Sequence, residues 1–343
     1  MLISDFDYEL PDKLIAQEPM AERDASRMLV VDRMAGAFQD GQFTDLAQHL
    51  REDDVLVLNN TKVFPARLFG QTETQANVEI FLVRNIVACV WEVLARPAKR
   101  LKIGKAIRFS DKLTASVVER KPDGKVIVEF AADGDLNTII DGLGKTPLPP
   151  YIKRAKPETD ADRERYQTVY ARNRGAIAAP TAGLHFKPDT LEQIREKGVT
   201  VAEITLHVGY GTFEPVRVWD ISEHSVLAEQ YEIDAATAEI LNQVKHDVRR
   251  IIAVGTTTTR ALESNFAKFG RFTHGSHLAD LTITPGYTFG AVDALLTNFH
   301  LPKSSLLILT SVFGGHELIM NAYRHAVAAK YRFYSYGDCM LIF

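Results

Sequence analysis

The sequence predicts an α/β protein: a discontinuous domain whose sheet is covered on both faces by helices, interrupted by a small all-β module. Three observations lead there. The chain has 343 residues, a length that suggests about two domains at roughly 100–200 residues each. From about Ala66 to Phe130 apolar residues recur with period two, in short segments parted by turn signals such as Pro122-Asp123-Gly124, the pattern of an all-β barrel or sandwich. After about Thr146 short apolar runs alternate with helical ones, the order that builds a sheet between helical layers.

Asp54 to Asn59, ahead of the β module, reads as a strand of the main sheet. The module's strands are marked by 78–83, 90–94, 106–109 and 125–130. Beyond it, Ala176 to Ala179 is a strand candidate, and Pro188 to Lys197 a helix with Asp189 in its first turn and Gly198 as its stop. Val199 to His207 returns as a strand. Arg250 to Val254 is a buried strand and Arg260 to Lys268 a helix. Ala294 to Phe299 is a strand, followed by helices at Ser305 to Phe313 and Glu317 to Lys330, with Arg332 to Tyr336 as the closing strand. The α/β domain is expected to comprise 1–65 and 148–343, with 66–147 inserted. No internal repeat or low-complexity stretch interrupts this organisation.

Hydrophobic residues make up 46% of the chain and charged residues 24%, values that exclude disorder as the dominant state. Two cysteines, Cys89 and Cys339, make no disulfide framework and fall in no metal-ligand spacing, which suits a reducing compartment. The start of the chain lacks a basic and an apolar signal region. The apolar run from Ser305 to Phe313 is shorter than the 18 or more residues a membrane span needs. A cytoplasmic protein with no membrane partner is expected. The net charge of −4 conceals an asymmetry: Arg84 to Arg174 holds 19 Lys and Arg against 12 Asp and Glu, a net +7 that leaves −11 for the rest. Such a division suits polyanion binding, although a solvated basic face would look the same.

Four segments place polar groups where strands should end, the position at which open α/β sheets bind ligands. The first, 179–186, carries Thr181, Gly183 and His185. The second, 205–213, carries His207, Gly209, Gly211 and Thr212. In the third, Val254-Gly255-Thr256-Thr257-Thr258-Thr259-Arg260, a strand, a glycine and four hydroxyls lead into a helix. Converging N–H groups and hydroxyls there suit a carboxylate, a phosphate or ribose hydroxyls. One threonine would suffice for a plain helix cap, and neither a dinucleotide fingerprint nor a Walker lysine is present. The fourth, 297–305, carries Asn298, His300 and Lys303, with Ser304 or Ser305 capping a helix. Histidines at three strand ends would converge if those ends share one sheet edge, and imidazole is suited to proton transfer near neutrality. No His pair or carboxylate at ligand spacing accompanies them, so no metal is expected. Arg96, Lys99, Arg100, Lys102 and Lys105 put five cations within ten residues on the β module. Lys153, Arg154 and Lys156 follow, and together they form a plausible RNA footprint.

Taken in order, these segments resemble the S-adenosylmethionine:tRNA ribosyltransferase-isomerase family of bacterial queuosine synthesis. The resemblance begins at Phe6-Asp7-Tyr8-Glu9-Leu10-Pro11 and continues through Arg23-Asp24-Ala25-Ser26-Arg27, Asn59-Asn60-Thr61-Lys62-Val63 and Pro65-Ala66-Arg67-Leu68. Its strongest stretches are Pro180 to Phe186, His207-Val208-Gly209 with Gly211-Thr212-Phe213, Val254 to Thr257 and Thr297 to Pro302. Phe313-Gly314-Gly315 and Tyr334-Ser335-Tyr336-Gly337-Asp338 close it.

The resemblance implies a three-layer α/β domain carrying an inserted β-barrel. It implies two substrates: tRNA with a GUN anticodon bearing 7-aminomethyl-7-deazaguanine at the wobble position, and S-adenosylmethionine as ribosyl donor. No prosthetic group is implied, and a monomer is expected. His185, His207 and His300 become the candidates for proton transfer. Thr181, Gly183, Gly209, Gly211, Thr212, Gly255, Thr256, Thr257, Arg260, Asn298 and Lys303 become the candidates for S-adenosylmethionine. Arg96, Lys99, Arg100, Lys102, Lys105, Lys153 and Arg154 are the candidates for tRNA. The competing readings are an S-adenosylmethionine-dependent RNA methyltransferase and a non-catalytic RNA-binding module.

Overall fold

A strand that is apolar at every position has no face for water and belongs inside a sheet covered on both sides. Three such runs, at 55–58, 251–254 and 294–296, form the middle of the large sheet. The computed structural model describes residues 1–153, 160–209 and 216–343. In chain order the strands are β1 (Arg27–Asp32), β2 (Ala37–Gln42), β3 (Val55–Asn59), β4 (Thr61–Val63), β5 (Arg67–Thr72) and β6 (Asn77–Val87). Next come β7 (Val90–Arg96), β8 (Ala106–Ser110), β9 (Leu113–Arg120), β10 (Val126–Ala132), β11 (Asn173–Ala176) and β12 (Thr200–Leu206). Then follow β13 (Glu229–Ile233), β14 (Ile251–Val254), β15 (Gly275–Ala279), β16 (Ala294–Asn298) and β17 (Cys339–Ile342).

The large sheet runs β15-β13-β12-β3-β14-β16-β17-β1-β2. Its central four strands, β12, β3, β14 and β16, are parallel, so Leu206, Asn59, Val254 and Asn298 end at one edge. β17 is antiparallel to β16, with Asn298 opposite Cys339, and β1 is parallel to β17. The residues just before β17 and β1, including Tyr334, Ser335 and Ser26, therefore reach that same edge. Side chains alternate between two cores. Val55, Val57, Ile251, Ala253 and Leu295 join the core beneath helices Ala235–His246, Thr256–Phe269, Ser305–Gly314 and His316–Ala328. Leu56, Leu58, Ile252, Val254 and Leu296 join the opposite core, under Pro188–Glu196 and the short Leu46–His49 turn.

Strands β5 to β10 close into a barrel in the order β10-β7-β6-β5-β8-β9, filled by residues such as Leu68, Ile80, Val93, Ile107 and Val128. This decides between barrel and sandwich. At its neck the outgoing and returning chains are paired: Lys145 N donates to Arg67 O at 2.8 Å and Arg67 N to Lys145 O at 3.2 Å.

Two expected strands are corrected. Arg332 to Tyr336 is a turn, because the Asp338 carboxylate accepts from Arg332 N at 2.7 Å and from Arg27 N at 2.9 Å, folding the segment back on itself. The closing strand is Cys339–Ile342. Residues 177–179 are also outside any strand. β11 ends at Ala176 and pairs only with β4, away from the main sheet. The helix expected from Arg260 begins at Thr256 instead. The flanking strands β1, β2, β13 and β15 were not anticipated: polar residues interrupt the apolar pattern in β2, β13 and β15, whereas β1 carries an apolar run at 28–31 that was overlooked. Among the described residues no single helix is long and apolar enough to cross a membrane, and both cysteines are free.

Candidate active site

All four strand-end segments reach one pocket, the second of them only through Val208. It is lined by Ala178, Ala179, Pro180, Thr181, Ala182, Val208, Gly255, Thr256, Thr257, Thr297, Asn298, Phe299, His300, Leu306, Tyr334 and Ser335. Gly255 adopts φ +92° at the helix cap, a conformation that disfavours any side chain. It lets the chain turn from β14 into the helix with the first N–H groups directed at the pocket. Thr258 and Thr259 donate to Val254 O at 2.7 Å and Gly255 O at 3.1 Å, so they serve the helix. Thr256 and Thr257 line the pocket.

The three histidines do not converge. His300 lies in the pocket wall, with Nε2 3.0 Å from Thr297 Oγ1. Its backbone is fixed on both sides: N donates to Tyr323 Oη at 3.1 Å and O accepts from the Tyr8 hydroxyl. Burial drives its pKa down to about 3, so the ring is neutral at pH 7. His185 lies behind the wall. Its Nδ1 is 3.0 Å from Ser26 Oγ and its Nε2 3.1 Å from Asn298 Oδ1. Burial lowers its pKa to about 4, against hydrogen bonds with Asn298 and the Arg23 backbone that favour the protonated form. His207 points away, with Nδ1 2.8 Å from Thr61 Oγ1. Its ring packs so closely on Gly175 that a Cβ there would lie 2.5 Å from it. Burial lowers the His207 pKa as well. The expectation of three converging rings is therefore corrected to one ring in the pocket, one behind it and one beside it.

The far wall was missed as a contributor of chemistry. Asn298 Nδ2 donates to Tyr334 O at 2.9 Å and Ser335 O at 3.3 Å. Tyr334 is held at φ +74°, a region that costs a bulky residue on the order of 1–3 kcal/mol. The Tyr151 ring meets it edge-on at 3.9 Å between centroids, and the Tyr151 hydroxyl pairs with Ser335 Oγ. No spacing rule points to such a wall, because its parts come from residues 26, 151, 298 and 334.

A match to the family model described as "Queuosine biosynthesis protein" extends from residue 3 to residue 342. The chain belongs to this family. Relatives named S-adenosylmethionine:tRNA ribosyltransferase-isomerase come from Staphylococcus saprophyticus (49% identical), Desulforamulus reducens (48%) and Trichlorobacter lovleyi (47%), each aligned over all of both chains. A crystal structure of S-adenosylmethionine tRNA ribosyltransferase from Thermotoga maritima is 35% identical, with a TM-score of 0.56 over 99% of this chain and 100% of that one.

Within this queuosine biosynthesis fold, the remaining candidates fall in different places. Arg260 lines a second chamber, which shares Thr256, Thr257 and Leu306 with the pocket. Its guanidinium is committed inside the protein, to Glu229 at 2.8 Å and Leu281 O at 3.1 Å. Gly209 N donates to the other Glu229 oxygen at 2.9 Å, which ties the chain after β12 to that ion pair. Lys303 is half-exposed and pairs with Asp7 at 2.6 Å; it does not line the pocket. Gly183 faces Tyr170 rather than the pocket, and a Cβ there would sit 2.0 Å from the Tyr170 hydroxyl oxygen. Gly211, Thr212 and Arg154 lie outside the described residues. Arg96, Lys99, Lys102, Lys105 and Lys153 are exposed, and Lys105 pairs with Glu73 at 2.8 Å. Arg100 lies in the same short turn, Ala98–Arg100. Among the described residues no group of His, Cys, Asp or Glu is placed to hold a metal ion.

Proposed function

We propose that this chain is an S-adenosylmethionine:tRNA ribosyltransferase-isomerase. It transfers and isomerises the ribosyl moiety of S-adenosylmethionine onto 7-aminomethyl-7-deazaguanine at the wobble position of a GUN-anticodon tRNA. The products are epoxyqueuosine-tRNA, adenine and methionine. The observation that carries this reading is end-to-end identity of 47–49% with relatives of that name. S-adenosylmethionine serves as co-substrate, with no prosthetic group. The protein acts in the cytoplasm as a monomer, with 66–147 as a unit inserted between 1–65 and 148–343.

The donor's ribose occupies the pocket beside His300. Thr256 and Thr257, with the N–H groups of the helix start, hold the methionine carboxylate or the ribose hydroxyls. Thr181, Gly255 and Asn298 complete that wall. The sulfonium acidifies the protons on the ribose 5′ carbon, and removal of one opens the ribose and expels adenine, which takes up a proton as it leaves. The amine of the modified base attacks the resulting electrophile, and epoxide closure displaces methionine. These steps need a base, an acid and donors for a developing oxyanion. His300 is the candidate for the proton transfers: its ring lies in the pocket wall and is neutral at pH 7. His207, whose ring lies beside the pocket on Thr61, is the second candidate. The exposed cations on the barrel take the tRNA phosphates.

Purified protein, S-adenosylmethionine and tRNA bearing the aminomethyl base test this, with small molecules read by mass spectrometry. Adenine and methionine are expected together, and only with modified tRNA. S-adenosylhomocysteine would mean methyl transfer, and absence of turnover would leave an RNA-binding module.

A further inference from the structure

Among the side-chain partners of His185 the hydrogen-bond polarity has one consistent solution, with the Arg23 backbone carbonyl beside the ring as the competing acceptor. Carbonyl oxygens only accept, so Asn298 must direct its NH₂ group at Tyr334 O (2.9 Å) and Ser335 O (3.3 Å). That turns Oδ1 toward His185 Nε2 at 3.1 Å. An amide oxygen also only accepts, so Nε2 carries the hydrogen. Neutral imidazole has one N–H, which leaves Nδ1 as an acceptor for the Ser26 hydroxyl at 3.0 Å. Every donor points the same way, from Ser26 through His185 and Asn298 to the two carbonyls. The receiving turn is the one that holds Tyr334 at φ +74°.

We infer that His185 is a positioning residue: fixed as its Nε2–H tautomer, it orients Asn298 and through it holds the Tyr334–Ser335 wall of the pocket. Neither ring nitrogen is then available to substrate. The relay also explains why four remote segments meet here: the residue before β1, the loop after β11, the end of β16 and the turn before β17 each supply one link. Its kinetic consequence rests on the proposed ribosyl transfer, but its geometry does not.

Imidazole ¹⁵N NMR reads the geometry directly in the unmodified protein, with His185 assigned through its contact with the Phe43 ring, 5.3 Å away. The expected spectrum shows a protonated Nε2 and a bare Nδ1, unchanged from pH 8 to pH 5. A proton on Nδ1, directed at Ser26 or the Arg23 carbonyl, or titration between pH 6 and 7, would overturn the inference. The kinetic arm compares His185→Ala with His185→Gln, whose amide can still donate to Asn298. Alanine is expected to slow single turnover at least tenfold with the shape of the pH–rate profile kept, and glutamine to restore most of the rate. A profile that loses a limb in both variants would instead make His185 a proton carrier. If the unmodified enzyme shows no turnover, the reaction assignment fails while the tautomer measurement still stands or falls by itself.

Discussion

Lowering the pH from 7 to 5 protonates a histidine in the unfolded chain but not one held as His185 and His300 are held. Burial puts their folded-state pKa values at about 4 and about 3, against about 6.5 when unfolded. Across this window the unfolded state binds more protons, so stability is complete above about pH 6.5 and falls as pH drops toward the folded values. Integrating that difference from pH 7 to 5 gives a loss of about 2 kcal/mol for each ring, hence about 4 kcal/mol together. The result is insensitive to the folded values so long as both stay below 5. Set against a total stability of roughly 5–15 kcal/mol, the loss is large. His49, His207 and His224 are shifted in the same direction by burial and add to it. The assay is urea denaturation at pH 7, 6 and 5 of the wild type and of the His185→Gln/His300→Gln double variant. The variant should be less stable at pH 7, with a pH dependence flatter by about 4 kcal/mol over the window. Parallel curves for the two proteins would refute the placement of neutral rings in the wall.

Three other perturbations follow from particular contacts. Gly183→Ala sets a methyl 2.0 Å from the Tyr170 hydroxyl oxygen and should cost about 1–3 kcal/mol by overpacking, read as a lower denaturation midpoint. Glu229→Gln removes the anion beside Arg260, whose side chain is only 12% exposed. Leaving that cation buried should cost about 3–5 kcal/mol, and calorimetry would show it as a lower melting temperature. Replacing Lys99, Arg100 and Lys102 with Ala should weaken tRNA binding and reduce the slope of log affinity against log salt by about 1 per lost phosphate contact; an unchanged slope would move the footprint off the barrel.

The parts of the fold that could be read ahead were those where one physical demand dominates. Val55 to Leu58, Ile251 to Val254 and Ala294 to Leu296 are apolar without interruption, and only strands covered on both faces satisfy that. The barrel showed in its period-two segments for the same reason. Arg332 to Tyr336 misled because Phe333 and Tyr336 are buried as a strand's residues could be, while the Asp338 carboxylate folds the backbone into a turn. That choice depends on a contact with Arg27, far away in sequence. Ala176 to Ala179 misled because a short apolar run does not say which sheet it joins.

The site was legible as a set of strand ends and much less so as directions. Gly255, Thr256, Thr257, Asn298 and His300 do meet in one pocket, since parallel strands bring their carboxyl ends to one edge, and Thr181 joins them from the loop after β11, outside the main sheet. Which way a side chain leaves that edge depends on neighbours that spacing does not reveal. Gly175 opens room for the His207 ring on the far side of the chain, and Ser26 draws His185 behind the wall. Arg260, expected at the S-adenosylmethionine site, is held by Glu229 from another strand.

The central claim is that the ribose of S-adenosylmethionine, and not its methyl group, ends in the RNA. Two preparations of S-adenosylmethionine, one labelled in the ribose carbons and one in the methyl carbon, test it most directly. Each is incubated with the protein and tRNA bearing the aminomethyl base, and the RNA is digested to nucleosides. Ribose label in the wobble nucleoside, with methyl label recovered entirely as methionine, is the predicted result. Methyl label in the RNA, or ribose label left wholly among the small molecules, would contradict the account.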